Sequence, residues 1–408
     1  MLQAMCFKVF NIFTGCMLLA IQLLGQDSSV YFKTNAVVVN GAERFDDYEH
    51  ILREEKVAVV ANQSSVINDS LHLVDFLVEK EIDILRVFSP EHGFRGKADA
   101  GAHIKDQRDP ATGLKLISLY GKSKKPSYDH LADVNVVVFD LQDVGVRFYT
   151  YISTMHYVMT ACAEMKIKVV VLDRPNPNGF YVDGPILEPD FRSFVGMHQI
   201  PLLHGMTIGE YAKMINNEGW LENGVQCDLT VIPCLNYDHN DYYKLSIKPS
   251  PNLPNMASIF LYPSLALFEG TVVSVGRGTK TPFQLIGHPN IKDGDVEFTP
   301  TSGPGAKSPK LMGQKCKGYH LADFGTSTLP RRKQLYLFWL INMYKQIDSA
   351  ETPFFLANGF FDRLAGTDKL RLQIEDGKKE EEIRASWQED LDAFKIIRRK
   401  YLLYPDFE

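Results

Sequence analysis

Four apolar runs constrain any fold of this chain. They are Val57-Ala-Val-Val-Ala-Asn62, Ile84-Leu-Arg-Val-Phe88, Val134-Asn-Val-Val-Val-Phe-Asp140 and Lys168-Val-Val-Val-Leu-Asp173. Each is short, rich in β-branched residues and without polar alternation, the pattern of parallel strands buried on both faces. Helical spacing separates them. Over 70–80, Leu71, Val74, Leu77 and Val78 share one face behind a cap at Asn68 or Asp69, and a second helix is predicted over 153–166. Strand, helix, strand in this rhythm is a βαβ unit, so the expected class is α/β with a mostly parallel sheet. A boundary is expected just after Pro249-Ser-Pro-Asn-Leu-Pro-Asn-Met256, where prolines fix the backbone.

Each run gives way to polar residues. The first ends in Asn62. The second leads into Ser89-Pro-Glu91-His92-Gly-Phe94-Arg95-Gly96. The third leads into Asp140-Leu-Gln-Asp143-Val-Gly-Val-Arg147-Phe-Tyr149-Thr-Tyr151. The fourth leads into Asp173-Arg174-Pro-Asn176-Pro-Asn-Gly179. In a parallel sheet these ends share one edge, and ligands of open α/β folds bind in the crevice beyond it. Carboxylates and arginines crowded there shift one another's pKa, as acid–base chemistry requires. Residues 95–130, with a short strand predicted over 114–119, read equally as a wall of such a site or as decoration.

Further along, His204 stands before the capping box Thr207-Ile-Gly-Glu210, which opens a helix through Asn217, and is a better site candidate than His198. Another strand is predicted over 229–234. Arg277, between Gly276 and Gly278, can reach an anion without crowding. Residues 330–347 and 379–402 read as helices. In the latter, Ile383, Trp387, Leu391, Phe394, Ile397 and Tyr401 recur at core-facing steps.

The chain has 408 residues, of which 45% are hydrophobic and 23% charged, as in soluble globular proteins. A net charge of -6 gives no footprint for nucleic acid. Lys8 is the only charge before Asp27, and residues 12–24 are mostly apolar. Residues 1–26 therefore read as a secretory signal peptide, too short in its apolar core to span a bilayer comfortably. The expected product is an exported, periplasmic protein without stable membrane insertion. Phe13-Thr-Gly-Cys16 has the outline of a lipoprotein box, but the apolar run continues past Cys16, which favours cleavage near Gly25-Gln26 over a lipid anchor. Cys162, Cys227, Cys234 and Cys316 are expected to be buried and mostly reduced. Neither CxxC nor HExxH occurs, so no metal site is expected. GxxxxGK[ST], GxGxxG and GxSxG are also absent, which weakens phosphate-loop, dinucleotide and serine-hydrolase readings.

Taken together, Ser89–Gly96, Asp140–Tyr151, Asp173–Gly179 and Pro251-Asn-Leu-Pro-Asn255 resemble the signatures of the exo-β-N-acetylmuramidase (NamZ) family, as do Phe268-Glu269-Gly-Thr271 and Gly276-Arg-Gly-Thr279. The resemblance runs from about residue 35 to the end. It implies a Rossmann-like catalytic domain over 35–256, a smaller α+β auxiliary domain over 257–408 and a cleft between them. It implies an exported glycoside hydrolase, without cofactor, that removes N-acetylmuramic acid from the non-reducing end of peptidoglycan fragments during cell-wall turnover and recycling.

The residues fit that chemistry. Glycoside hydrolysis needs an acid for the leaving oxygen and a second group as base or nucleophile. Glu91 is the expected acid, with His92 to orient it or relay a proton. Asp140 or Asp143 is the expected water activator, Asp173 a weaker one, and Tyr149 or Tyr151 an alternative nucleophile or stabiliser. Arg147, Arg174 and Arg277 are candidates for the lactyl carboxylate of the sugar. Asn62, Arg95, Tyr151, Asp173, Asn176, His204 and Glu269 complete the expected binding set. The rival reading is an exported binding protein that captures a wall fragment without turnover. Carboxylates clustered beside arginines favour the enzyme, because a pure binder of an acidic sugar gains little from them.

Overall fold

A computed structural model describes residues 37–91, 93–95, 107–121, 123–349 and 351–408. Its central sheet is built from β1 (Val57–Ala61), β2 (Ile84–Ser89), β3 (Gln107–Arg108), β4 (Lys115–Ser118), β5 (Val136–Asp140), β6 (Lys168–Leu172) and β7 (Leu229–Ile232). The spatial order is β3-β4-β2-β1-β5-β6-β7, parallel throughout except for the edge strand β3. With β3 set aside, the parallel strands stand in the 3-2-1-4-5-6 order of doubly wound Rossmann sheets.

The unbroken apolar runs follow from that position. Ala58 and Val60 of β1, Val137 and Phe139 of β5, and Val169 and Val171 of β6 face one core. Val57, Val59 and Ala61, Val136 and Val138, and Val170 and Leu172 face another. Side chains alternate across a strand, so a sheet covered on both faces needs an apolar residue at every position. The weak strand predicted over 114–119 is β4, and it extends the sheet.

Some helices differ from expectation. Residues 66–72 form a small hairpin, Val66–Ile67 against Leu71–His72, with Asn68 and Asp69 at its tip at φ of 48° and 57°. Short polar side chains tolerate that left-handed turn, so these residues turn the chain and do not cap a helix. Helix α1 (Leu73–Glu79) starts later, capped by His72, whose Nδ1 accepts from the Val74 amide at 3.2 Å. Helix α2 (Tyr151–Met165) and helix α3 (Ile208–Asn217) lie where predicted. Thr207 and Glu210 close the expected capping box through contacts of 3.3 and 2.9 Å.

After helix α4 (Met256–Leu265) the chain builds a second, antiparallel sheet from β8 (Leu285–His288), β9 (Val296–Phe298) and β10 (Cys316–His320), in the order β8-β10-β9. Helices follow. The stretch over 330–347 is interrupted at Lys333, whose φ of 49° ends one short turn before Phe338–Ile347 begins. The stretch over 379–402 is two helices, Glu380–Ala385 and Gln388–Arg399, because Trp387 leaves the helical conformation and buries itself. Its apolar positions are core contacts, as expected, and they join one cluster that reaches back to β5. Cys162, Cys227, Cys234 and Cys316 are buried free thiols.

Candidate active site

Strand β2 ends at Ser89 and delivers Glu91 to the rim of a hollow of 60 Å³. Its Oε2 accepts from the Thr150 hydroxyl at 3.3 Å. The Tyr120 phenol also bonds this carboxylate, and burial together with the Glu91 charge pushes its pKa up to about 12, so it stays a donor. The loop after β5 brings Tyr149, Thr150 and Tyr151 to the same wall at the start of α2. Tyr149 and Tyr151 pack edge to face at 4.8 Å, and both phenols donate to the Pro249 carbonyl, at 2.8 and 3.4 Å. Burial holds both well above the ordinary phenol range.

The facing wall comes from the C-terminal part of the chain. Tyr262 of α4, Arg277 and Phe283 line it, with the Arg277 guanidinium 5.5 Å from the Phe283 ring centre. Arg277 Nε lies 3.6 Å from Glu269 Oε1 and makes no hydrogen bond. Ser250 and Asn252 of the proline-rich segment close the floor. Among the described residues lining the hollow, Glu91 is the one carboxylate and Arg277 the one cation.

Several expected site residues are engaged elsewhere. Asp140 and Arg174 form a fully buried pair at the ends of β5 and β6, and Arg174 Nη2 also donates to the Val66 carbonyl at 3.0 Å. Asp173 accepts from the Thr207 hydroxyl, the Gly209 and Arg174 amides and the Tyr404 phenol, which ties α3 and the C-terminal tail to the sheet edge. Burial raises its pKa to about 6. Arg147 lies outside the hollow. Its guanidinium donates to the carbonyls of Pro185, Ile200, Leu364 and Ala365, pinning the C-terminal helices to the loop after β5. Arg95 is held by Asp75 and Asp109 and covers Phe94, whose ring packs on His72. Asn176 bonds Met206 and Asn178, and it fills the space where Gly145, at φ of 75°, has no Cβ. These residues were legible in the motifs after the strands; that Asp140 and Arg174 pair with each other, and that Tyr404 and the carbonyls of Leu364 and Ala365 satisfy Asp173 and Arg147, was not.

Two residues support the hollow from outside it. Asn62 donates to the Tyr151 phenol at 2.7 Å. Asp143 does not line the hollow, but its charge acts on Tyr149, Tyr151 and Tyr262. It accepts from the Gly145 amide at 2.6 Å and lies 3.8 Å from His204 Nε2. Burial pushes Asp143 up to about 7 and His204 down to about 3, so this histidine is neutral. His92 lies outside the described residues. Tyr120, Thr150, Ser250, Asn252, Tyr262 and Phe283 were not singled out from sequence. Thr150 stood inside a recognised motif, and Ser250 and Asn252 stood in the rigid proline segment. Tyr120 follows a weak strand and carries no signal of its own.

A Rossmann-ordered sheet whose strand-end loops face a second segment across a hollow with a carboxylate, an arginine and a group of phenols is the layout of an α/β enzyme. The chain belongs to the exo-beta-N-acetylmuramidase NamZ family: the N-terminal family model matches residues 57–257 and the C-terminal model residues 260–404. It is 40% identical over 383 residues to the peptidoglycan beta-N-acetylmuramidase NamZ of Bacillus subtilis (strain 168), covering 88% of this chain and 89% of that protein. A crystal structure of a DUF1343 family protein from Bacteroides fragilis NCTC 9343 matches at a TM-score of 0.84 and 45% identity, over 91% of this chain and 100% of the other. A second DUF1343 protein of that organism matches at 0.75 and 27%, over 90% and 99%.

Proposed function

We propose that this chain is an exported glycoside hydrolase that releases N-acetylmuramic acid from the non-reducing end of peptidoglycan fragments, in cell-wall turnover and recycling. The observation that carries the reading is Glu91 opposite Arg277 across one hollow, in a member of this family. Glu91 donates the proton to the leaving glycosidic oxygen, oriented by Thr150 and Tyr120. Arg277 receives the lactyl carboxylate, which N-acetylglucosamine lacks, through a two-point contact. Tyr149 and Tyr151 face the developing charge at the anomeric centre, where a solvent water adds to the carbon as the glycosidic bond breaks and releases a proton to solvent, from which Glu91 is reprotonated. Asp140, Asp173, Arg147 and Arg174 hold the scaffold. Asp143 acts on the phenols electrostatically and does not activate water. Residues 1–26 act as the export signal, and the mature enzyme works in the periplasm.

The test is release of chromophore from an aryl β-N-acetylmuraminide and from the matching β-N-acetylglucosaminide. The reading requires strong preference for the first. Tight binding of the muraminide without any release would instead identify a binding protein.

A further inference from the structure

A second, much larger cavity of 910 Å³ is lined in part by Phe194, a ring neighbour of Tyr120. Its wall begins with Phe194, whose ring stands 6.3 Å from that of Tyr120, the same tyrosine that bonds Glu91. Phe194 stacks on Tyr157 at 6.3 Å and 20°. Tyr157 is on α2 together with Tyr151 of the catalytic hollow. Six helical steps set the two about 9 Å apart along the axis and about 120° apart around it, and the Tyr120–Phe194–Tyr157 ring contacts link the hollow to the cavity across that turn. The far wall is Trp220, fixed by stacking on His198 at 5.7 Å and 22°.

The charges are as informative as the rings. Lys124 sits 4.3 Å over the Phe194 ring, and Arg192 is exposed at the rim. Glu222, the one carboxylate among the described lining residues, is already paired with Lys125 at 3.2 Å. Aromatic rings offer flat apolar faces for the C–H side of a pyranose. Two cations without a carboxylate of their own on the wall suit an acidic ligand.

We infer that this cavity is the subsite for the leaving-group side of the substrate, and that it selects fragments carrying a further carboxylate beyond the cleaved sugar. The inference rests on the muramidase reading and deepens it. The carboxylate has two possible sources: the lactyl group of the next N-acetylmuramic acid, or a stem peptide attached to it. Both present the same anion to Lys124 and Arg192.

The experiment compares kcat/KM for a peptide-free tetrasaccharide, for the same tetrasaccharide carrying stem peptides, and for the aryl muraminide, which does not reach the cavity. In the Lys124→Ala/Arg192→Ala enzyme the ratio of tetrasaccharide to aryl muraminide should fall about tenfold, the loss expected for charge-assisted contacts. A fall with the peptide-free substrate identifies the lactyl group, and a fall only with the peptide-bearing one identifies the peptide. Unchanged ratios for both overturn the inference. Calorimetric binding of the tetrasaccharides to Glu91→Gln, with and without the double substitution, separates the two levels. Weakened binding supports the subsite even if no aryl muraminide is cleaved, whereas unweakened binding counts against it while leaving the muramidase reading standing.

Discussion

Asp140 and Arg174 meet through two parallel contacts, Nε to Oδ1 at 2.5 Å and Nη2 to Oδ2 at 2.8 Å, across the adjoining ends of β5 and β6. Both side chains are almost wholly buried. In Rossmann sheets of this order the ligand crevice opens where the strand order reverses, here between β1 and β5. This chain closes that point on its β6 side with an ion pair and the Val66 carbonyl, and its hollow is lined by the loops that follow β2 and β5, the two neighbours of β1. Removing one partner strands a buried charge, so Asp140→Asn or Arg174→Met should cost about 3–5 kcal/mol in denaturant unfolding. Activity per folded molecule should persist. Loss of turnover in a variant of normal stability would return the pair to the chemistry.

Arg277 should govern sugar selection. Arg277→Ala should lower kcat/KM for the aryl muraminide by roughly 10- to 100-fold, the range for hydrogen bonds to a charged group. The glucosaminide should be nearly unaffected. Arg277→Lys should restore only part, because an ammonium lacks the planar fork. Equal losses on both substrates would show that Arg277 holds the hollow together and does not read the lactyl group.

Why some of this was readable in advance is a question of range. β1, β2, β5 and β6 announce themselves because burial on both faces removes polar alternation, a local consequence of a global position. Glu91 was readable because it stands two residues after β2, and Tyr149 and Tyr151 because they share a motif with the end of β5. What sequence did not separate was a strand-end charge that faces solvent from one that is already satisfied. Asp173 looks like a candidate base until Tyr404 arrives from the far end of the chain. Arg147 looks like an anion site until the carbonyls of Leu364 and Ala365 close over it. Nor did any local pattern announce that Phe194 and Trp220 frame one cavity with Tyr157.

Asp143 predicts a pH dependence of stability. Its carboxyl titrates near 3.8 when unfolded and near 7 when folded, because burial disfavours the charge. Between those values the folded state holds a proton that the unfolded state has released. Stability is therefore highest below the lower value and falls as pH rises through the upper one. Asp173, raised to about 6, acts in the same sense. Asp143→Asn removes one titration, so the loss of stability between about pH 4 and about pH 7 should shrink in urea unfolding. An undiminished loss would contradict the burial argument for this residue.

If Glu91 performs acid catalysis in this hollow, turnover depends on the proton that Glu91→Gln removes. Glutamine keeps the shape and still accepts from Thr150, but it has no proton to give. Unfolding and muraminide binding should stay close to those of the parent protein, while kcat on a muramyl oligosaccharide should fall by at least about 100-fold. A Glu91→Gln enzyme that turns over at the parental rate would contradict it.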